Sequence, residues 1–389
     1  MPLTRASCQV LFRREPLPPP AVIEHEWRRL AGASEASFFT SWHWIGTLLA
    51  AVPTESHPEL LRGRANGETV ALALLGANTA RRRCGLIRSR ELYLNETGDA
   101  RFDTLTIEHN GIVAAPGWEA GLWEALIAWF AGTRGEADEL YINGSLRLLP
   151  RNMLTRSGLA CSEVTVPSYA VDLSRLDESA GEPYAVLSTN ARQQLRRALR
   201  HFEKFGPLLL REAATVAEAL AFFSEMKALH CASWERRGRR HSFSHGFFER
   251  FHRLLIERSF AESGTQLLRA SAGSRIIGYL YNFRLGNRIY AYQSGFDDAD
   301  RRERPGFVTH ALAIRHAFQS GARMYDFMAG HNRLKESFAT QCEPMRWQVV
   351  QQRRLTFQLE TLARRLKHSL RLSGRDDRKG SEPQKRRGA

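Results

Sequence analysis

The residue types best suited to chemistry crowd between positions 290 and 335. Arg301, Arg302 and Arg304 stand in the run Arg301-Arg302-Glu303-Arg304-Pro305-Gly306, directly ahead of an apolar stretch with helical spacing. A helix starting there aims its free backbone N–H groups and the positive end of its dipole at whatever lies beyond, which suits a phosphate or pyrophosphate. Pro305 fits a first helical turn because its missing N–H has no helical partner there. Gly306 lets an anion approach the backbone, and each arginine can add a charge-assisted bond. The same run also reads as an ordinary turn with solvated arginines. Lys335 stands out because only six of the 56 basic residues are lysine, so a compact point charge or a deprotonable amine is indicated at that place, with a solvated surface lysine as the alternative. His230 is a candidate general base, since histidine titrates near neutral pH; the competing reading is a histidine satisfied between packed helices. Asp326 ends a strand pattern, where it can orient a base, bind a substrate group or cap a loop. Tyr290, Tyr292 and Tyr325 alternate along strand patterns, as proton donors or as cleft wall.

The elements that must position these groups follow from periodicity. A strand over 290–296, a helix over 307–319 stopped by Gly321, and a strand over 324–327 form a strand–turn–helix–strand unit. Ahead of it the sequence predicts helices over 184–205, 217–237 and 245–260, then strands over 266–272, 276–285 and 288–296 with Gly286-Asn287 as a tight turn. A short helix over 334–338 and a strand over 346–350 close this half. The first half runs in the same order: helices over 22–30 and 42–51, a hairpin through Asn66-Gly67, strands over 86–94 and 104–108, a helix over 118–133 and a strand over 140–142. Hairpins followed by one crossover imply a mixed sheet flanked by helices, an α/β (α+β) arrangement. Leu140-Tyr141-Ile142 and Met324-Tyr325-Asp326 hold matching places, so the chain reads as two similar units joined near 165–182. The expected division is 1–165, 166–350, and a basic amphipathic helix with a disordered tail over 351–389.

Bulk composition narrows the classes. The chain of 389 residues is 43% hydrophobic and 10% aromatic, enough for more than one core and incompatible with wholesale disorder. Its net charge of +15 favours anionic partners, although twelve Lys/Arg and four Asp/Glu over 351–389 supply much of the excess. Leu355, Leu359, Leu362, Leu366 and Leu370 recur there at helical spacing, giving a helix able to dock on its own domain, a partner or an anionic membrane surface. Five scattered cysteines without a CxxC pair fit a reducing compartment. With no apolar leader and no run near ~18 apolar residues, a cytoplasmic protein, peripheral to the inner membrane face through its tail, is the simplest expectation. His241, His245 and His252 lack the acidic or cysteine ligands of a zinc set, so no metal is expected.

Taken in order, Phe38-Phe39, Trp42, Trp44, the basic run from Arg192 to Arg197, His230 with Trp234, Ser294-Gly295-Phe296-Asp297, Pro305-Gly306, Gly321, Tyr325-Asp326-Phe327, Gly330 and Lys335 make a longer pattern. In that order the sequence resembles the GNAT-fold acetyltransferases of the CelD/BcsL type, named for bacterial cellulose biosynthesis, over most of residues 35–350. That family is similar in turn to the FemABX peptidyltransferases. The resemblance implies a tandem GNAT fold whose second unit binds acetyl-CoA or another acyl-CoA as donor and whose first unit is degenerate. It implies Ser294, Arg301, Arg302, Arg304, Gly306 and Phe307 at the donor, and Arg192, Trp234 and Tyr325 at the acceptor. His230, Asp326, Lys335 and Tyr292 are then the catalytic candidates. Here the acyl-CoA loop reads Arg301-Arg302-Glu303-Arg304-Pro305-Gly306-Phe307, which keeps part of the family's glycine pattern. The expected reaction is N- or O-acyl transfer to a polysaccharide, cell-envelope or small-molecule acceptor. The alternatives are aminoacyl transfer from tRNA, in which the basic helix after Arg192 tracks phosphates, and a non-catalytic binding protein. Outside the tRNA alternative no nucleic-acid partner is expected.

Overall fold

The computed structural model describes residues 9–82, 85–119, 121–176, 184, 187–357 and 359–360. The first unit contains β1 (Leu11–Glu15), α1 (Pro20–Gly32), α2 (Trp42–Ala51), β2 (Glu59–Ala65), β3 (Glu68–Arg82), β4 (Ile87–Leu94) and the short β5 (Val113–Ala114). It continues with α3 (Leu122–Gly132), β6 (Glu139–Ser145), α4 (Arg151–Arg156) and β7 (Leu159–Asp172). The second contains α5 (Thr189–Glu203), β8 (Leu208–Glu212), α6 (Val216–Arg236), α7 (Gly246–Ser259), β9 (Thr265–Ala272), β10 (Arg275–Leu285) and β11 (Arg288–Phe296). α8 (Pro305–Gln319), β12 (Met324–Ala329), α9 (Arg333–Phe338) and β13 (Gln341–Gln352) complete it. Turn chemistry sets the hairpins: Asn66 and Gly67 both take positive φ, 52° and 82°, as a tight turn between twisted strands requires.

Thirteen strands form one mixed sheet, in the order β1-β2-β3-β4-β6-β13-β7-β12-β11-β10-β9-β8, with β5 added on β3. The middle of this sheet is exchanged between the units. β13 of the second unit pairs with β6 of the first, β7 of the first pairs with β12 of the second, and β7 and β13 pair antiparallel from Gln341↔Ala170 to Gln352↔Leu159. Neither unit closes its sheet without a strand from the other. The fold is therefore a tandem mixed α/β arrangement, with Leu140 to Ile142 and Met324 to Asp326 on corresponding strands.

Three cores flank the sheet. The largest joins both units: Phe38 stacks on Phe283 at 4.3 Å, and Trp44 meets Phe251 at 4.8 Å. Burying such rings contributes about 1.5–3 kcal/mol each. A second core lies under α5 and α8, a third under α3 and α4.

Several stretches differ from the periodicity reading, among them β1 and α4, to which it gives no element. Residues 104–108 form a turn and loop instead of a strand, because Ile107 is buried in the core and Glu108 is held by a long-range bond described below. The stretch expected to join the units begins as strand: β7 runs to Asp172, past position 165. Its residues from Ala160 to Thr165 are exposed, so the strand lacks an apolar alternation that would announce it. β8 lies between two predicted helices, in a stretch to which the periodicity reading gives no element. Of the predicted basic helix and tail, Phe357 is buried beneath the Arg82 and Arg354 guanidinium groups, whereas Leu355 and Leu359 of the expected apolar stripe are exposed. Leu362, Leu366 and Leu370 lie outside the described residues.

Candidate active site

β11 and β12 pair in parallel only from Arg288↔Met324 to Tyr290↔Asp326 and then part. A cavity of about 410 Å³ fills the opening. Its wall includes His310 and Phe327 on the α8 side of the sheet and His230, Tyr292 and Met328 on the α6 side, so it runs through the sheet from one face to the other. Glycine at 295 makes one wall possible: a Cβ there would lie 2.2 Å from the Met226 carbonyl, so only glycine lets α6 lie this close to β11.

The first unit has the matching opening, since β4 and β6 pair only from Glu91↔Glu139 to Tyr93↔Tyr141. There the chain following β4 packs into it. Asn95 accepts from the Leu74 N–H at 2.8 Å and donates to Asn110, and Asn110 N–H donates to the Gly144 carbonyl at 3.0 Å. A Cβ on Gly144, whose φ is +65°, would lie 2.2 Å from the Ile107 carbonyl. The tip of this plug, Thr106 and Glu108, reaches the cavity of the second unit.

The plug brings charge with it. Glu108 accepts from the Ala329 N–H at 2.7 Å, while Lys335 Nζ donates to the Ala329 carbonyl at 2.6 Å and the Met328 carbonyl at 3.3 Å. Two oppositely charged side chains thus hold the two ends of one residue's backbone. Burial raises the Glu108 carboxyl against the pull of the Ala329 N–H and Lys335. Burial likewise lowers the Lys335 ammonium, with Glu108 and Asp326 opposing. Met328 takes φ 63°, a costly conformation for a non-glycine residue, and its N–H is held by Asp326 at 2.7 Å. Asp326 itself lies beneath the cavity, 3.0 Å from His109 Nε2 and 2.9 Å from Arg288. Burial opposes its ionisation, but His109 and Arg288 outweigh that and lower its pKa.

His230 is held by α6 against β11, its Nδ1 2.9 Å from the Ser294 carbonyl. A carbonyl only accepts, so Nδ1 carries the proton and Nε2 keeps its lone pair. Burial lowers the ring's pKa despite that bond. A neutral histidine with a free lone pair lines the cavity, stacked on Trp234 at 5.6 Å.

Comparison with known proteins agrees with this geometry. Residues 189–336 match the acetyltransferase (GNAT) domain. No curated protein matches the chain. Among solved structures it is similar to FemX (11% identity, 86% of this chain and 96% of that one, TM-score 0.57). It is also similar to L-PGS from Bacillus licheniformis (11% identity, 90% and 97% of the chains, TM-score 0.50). A third is the C-terminal domain of a candidate lysylphosphatidylglycerol synthetase from Agrobacterium fabrum (12% identity, 88% and 95%, TM-score 0.51). At such identities the likeness is one of fold.

Among the residues of this match the structure brings His230, Trp234, Tyr292, Ser294 and Lys335 to one cavity and leaves other sequence candidates outside it. Arg301 and Arg302 lie in a 3-10 turn over Asp298–Glu303, ahead of the α8 N-terminus. Arg304 caps α8 with φ 60° and bonds Gln194 on α5. The place a Cβ on Gly306 would take is filled by the Phe296 ring, 2.9 Å away, so packing alone already requires glycine there. Phe307 is buried against Phe338, and Tyr325 is wholly buried with its hydroxyl 3.0 Å from His310 Nδ1. Arg192 is half-buried on the first turn of α5. Sequence reasoning missed Thr106, Glu108, His109 and His310. The acid-imidazole-amide run Glu108-His109-Asn110 was an available signal, but the partner of Glu108 lies 221 residues away.

Proposed function

We propose that the chain is an acyltransferase that moves an acyl group from acyl-CoA directly to an amine or hydroxyl of a polysaccharide, cell-envelope or small-molecule acceptor. The observation that carries this reading is the cavity that crosses the sheet where β11 and β12 part. One end lies on the α8 side, the other on the side of α6 and the plug. A thioester reaching in from the α8 side would have its phosphates near the helix N-terminus, Arg301, Arg302 and Arg304. It would present its carbonyl to an acceptor on the far side. His230 Nε2 takes the proton as the acceptor's nitrogen or oxygen bonds the carbonyl carbon. The edge of β11 beyond Tyr290, released from β12, is where backbone N–H groups can meet the developing oxyanion. The carbon–sulfur bond then breaks, and Tyr292, held protonated by burial, supplies the thiolate with a proton. Lys335 adds positive charge, and Asp326 with His109 fixes the backbone that Lys335 grips. In this reading the division is 1–165 as support that contributes Glu108, 166–350 as the catalytic part and 351–389 as the basic appendage. The plugged opening supports a first unit that holds no donor. The tail's charge supports contact with an anionic membrane face.

Calorimetric titration of acetyl-CoA, with an Arg302→Glu variant alongside, tests the proposal. Micromolar binding, weakened at least about tenfold by reversing that charge, is the expected result. Folded protein that takes up no acetyl-CoA overturns it. One observation favours a second donor: Arg197 and Arg200 are exposed on α5, which the Arg304–Gln194 bond ties to the same turn. Binding of aminoacyl-tRNA with a steep salt dependence, and none of acetyl-CoA, would select it.

A further inference from the structure

The acceptor end of the cavity has a chemistry of its own. α6, whose His230 and Trp234 line the cavity, ends at Arg236, and the chain then runs Arg237-Gly238-Arg239-Arg240, with Arg237 also in the cavity wall. Gly238 takes φ 61° and turns the chain back, so that the N–H groups of both Arg237 and Arg239 donate to the Trp234 carbonyl, at 3.0 and 3.1 Å. The turn that carries Arg237 and Arg239 is thus closed on the backbone of the half-buried Trp234, whose ring stacks on His230. Arg237 lines the cavity, and its charge is felt by the His230 ring. Arg236 is engaged with Asp298 at 2.9 Å, but Arg237, Arg239 and Arg240 are exposed and have no carboxylate within ion-pair distance among the described residues. The nearby acid in sequence, Glu235, sits 3.9 Å from His241 with most of its side chain in solvent. Cations are favoured at a helix C-terminus. That explains one arginine on the last turn, and it does not explain three exposed arginines within four residues, the first of which lines the cavity together with Trp234.

We propose that the acceptor carries a phosphate group, read by Arg237, Arg239 and Arg240 while Trp234 stacks against the ring or chain that bears the reacting amine or hydroxyl. This rests on the acyl-transfer reading for the direction of the reaction, and adds the substrate class. Phosphate suits the site because guanidinium groups bind its oxygens through paired charge-assisted bonds, and an aromatic face beside them takes an apolar sugar or alkyl surface. The group arises either in a soluble sugar phosphate or in a phospholipid headgroup, and the two are separable by experiment.

Binding of glucosamine 6-phosphate, of glucosamine, and of phosphatidylcholine vesicles with and without phosphatidylglycerol is measured on the full chain. Acetyl-CoA affinity is measured in parallel. Glucosamine 6-phosphate should bind at least about tenfold more tightly than glucosamine, and Arg237→Gln should remove that advantage while acetyl-CoA affinity is unchanged. Retention on phosphatidylglycerol vesicles that Arg239→Gln with Arg240→Gln abolishes supports the same site and names the headgroup as the source. Equal binding of the two sugars without vesicle retention overturns the inference. So does a loss of acetyl-CoA affinity in Arg237→Gln as large as the loss for the phosphate, since the arginines would then serve the donor. If acetyl-CoA fails to bind while phosphate binding still depends on Arg237, the acyl-CoA reading falls and the phosphate site stands.

Discussion

Glu108 provides the sharpest test of how the first unit serves the second. Its carboxylate accepts from the Ala329 N–H at 2.7 Å and opposes the charge of Lys335, which grips the carbonyl of the same residue. Glu108→Ala leaves the buried Ala329 N–H without its acceptor, at a cost of about 1–3 kcal/mol. Lys335 keeps both carbonyl partners and loses only the more distant charge of Glu108. Glu108→Gln retains an acceptor for Ala329 and loses only the charge, for about 1–2 kcal/mol. Lys335→Met leaves the carboxylate without its cation at a similar cost. If the two charges sustain each other, the double variant Glu108→Gln with Lys335→Met is less destabilised than the sum of the singles, by about 1–2 kcal/mol. Urea denaturation of the four proteins, read by a tryptophan signal and by circular dichroism together, completes the cycle. Additivity within about 0.5 kcal/mol would refute the coupling, and with it the view that the plug shapes the lysine's environment.

Two further outcomes follow from the geometry. Burial depresses the His230 pKa below its usual 6.5, so the base is already free at neutral pH and the acid limb of kcat/KM should fall below pH 6.5. A depressed folded-state pKa also means that the group's contribution to stability is complete above 6.5 and is lost as pH falls through the lower value. His230→Gln should abolish the acid limb, and a limb that persists unchanged in that variant assigns the proton transfer elsewhere. Gly144→Ala forces a Cβ to within 2.2 Å of the Ile107 carbonyl at a backbone φ of +65°, which should loosen the plug. We expect a loss of about 2 kcal/mol or more in stability. A fall in transfer rate should accompany it, although Gly144 lies outside the cavity. Unchanged turnover in a folded Gly144→Ala protein argues against a role for the plug.

Local elements were legible because their causes are local. Asn66-Gly67 and Gly286 mark hairpins through positive φ, and helical spacing locates α6, α7 and α8 to within a residue or two. Strand β7 was not legible: its exposed residues from Ala160 to Thr165 and its Pro167 resemble a linker, and it becomes a strand because β13 and β12 lie on its two sides. The stretch 104–108 alternates like a strand, yet it lies as a loop against Gly144 of the first opening and against Ala329.

The sequence by itself determined that this is a tandem mixed α/β protein, and it singled out His230, Trp234, Tyr292, Ser294 and Lys335, which line one cavity. Local spacing carries the fold class, and the order of motifs in the family resemblance carries Trp234 and Ser294. Only the tertiary structure decided that the two units exchange their central strands. It also decided that Tyr325 and Phe307 face a core, and that Glu108 from the first unit meets Ala329 and Lys335 of the second. The physical reason is distance along the chain. A carboxylate's partner 221 residues away is chosen by how three cores pack on one shared sheet, and no local preference of either segment encodes that meeting.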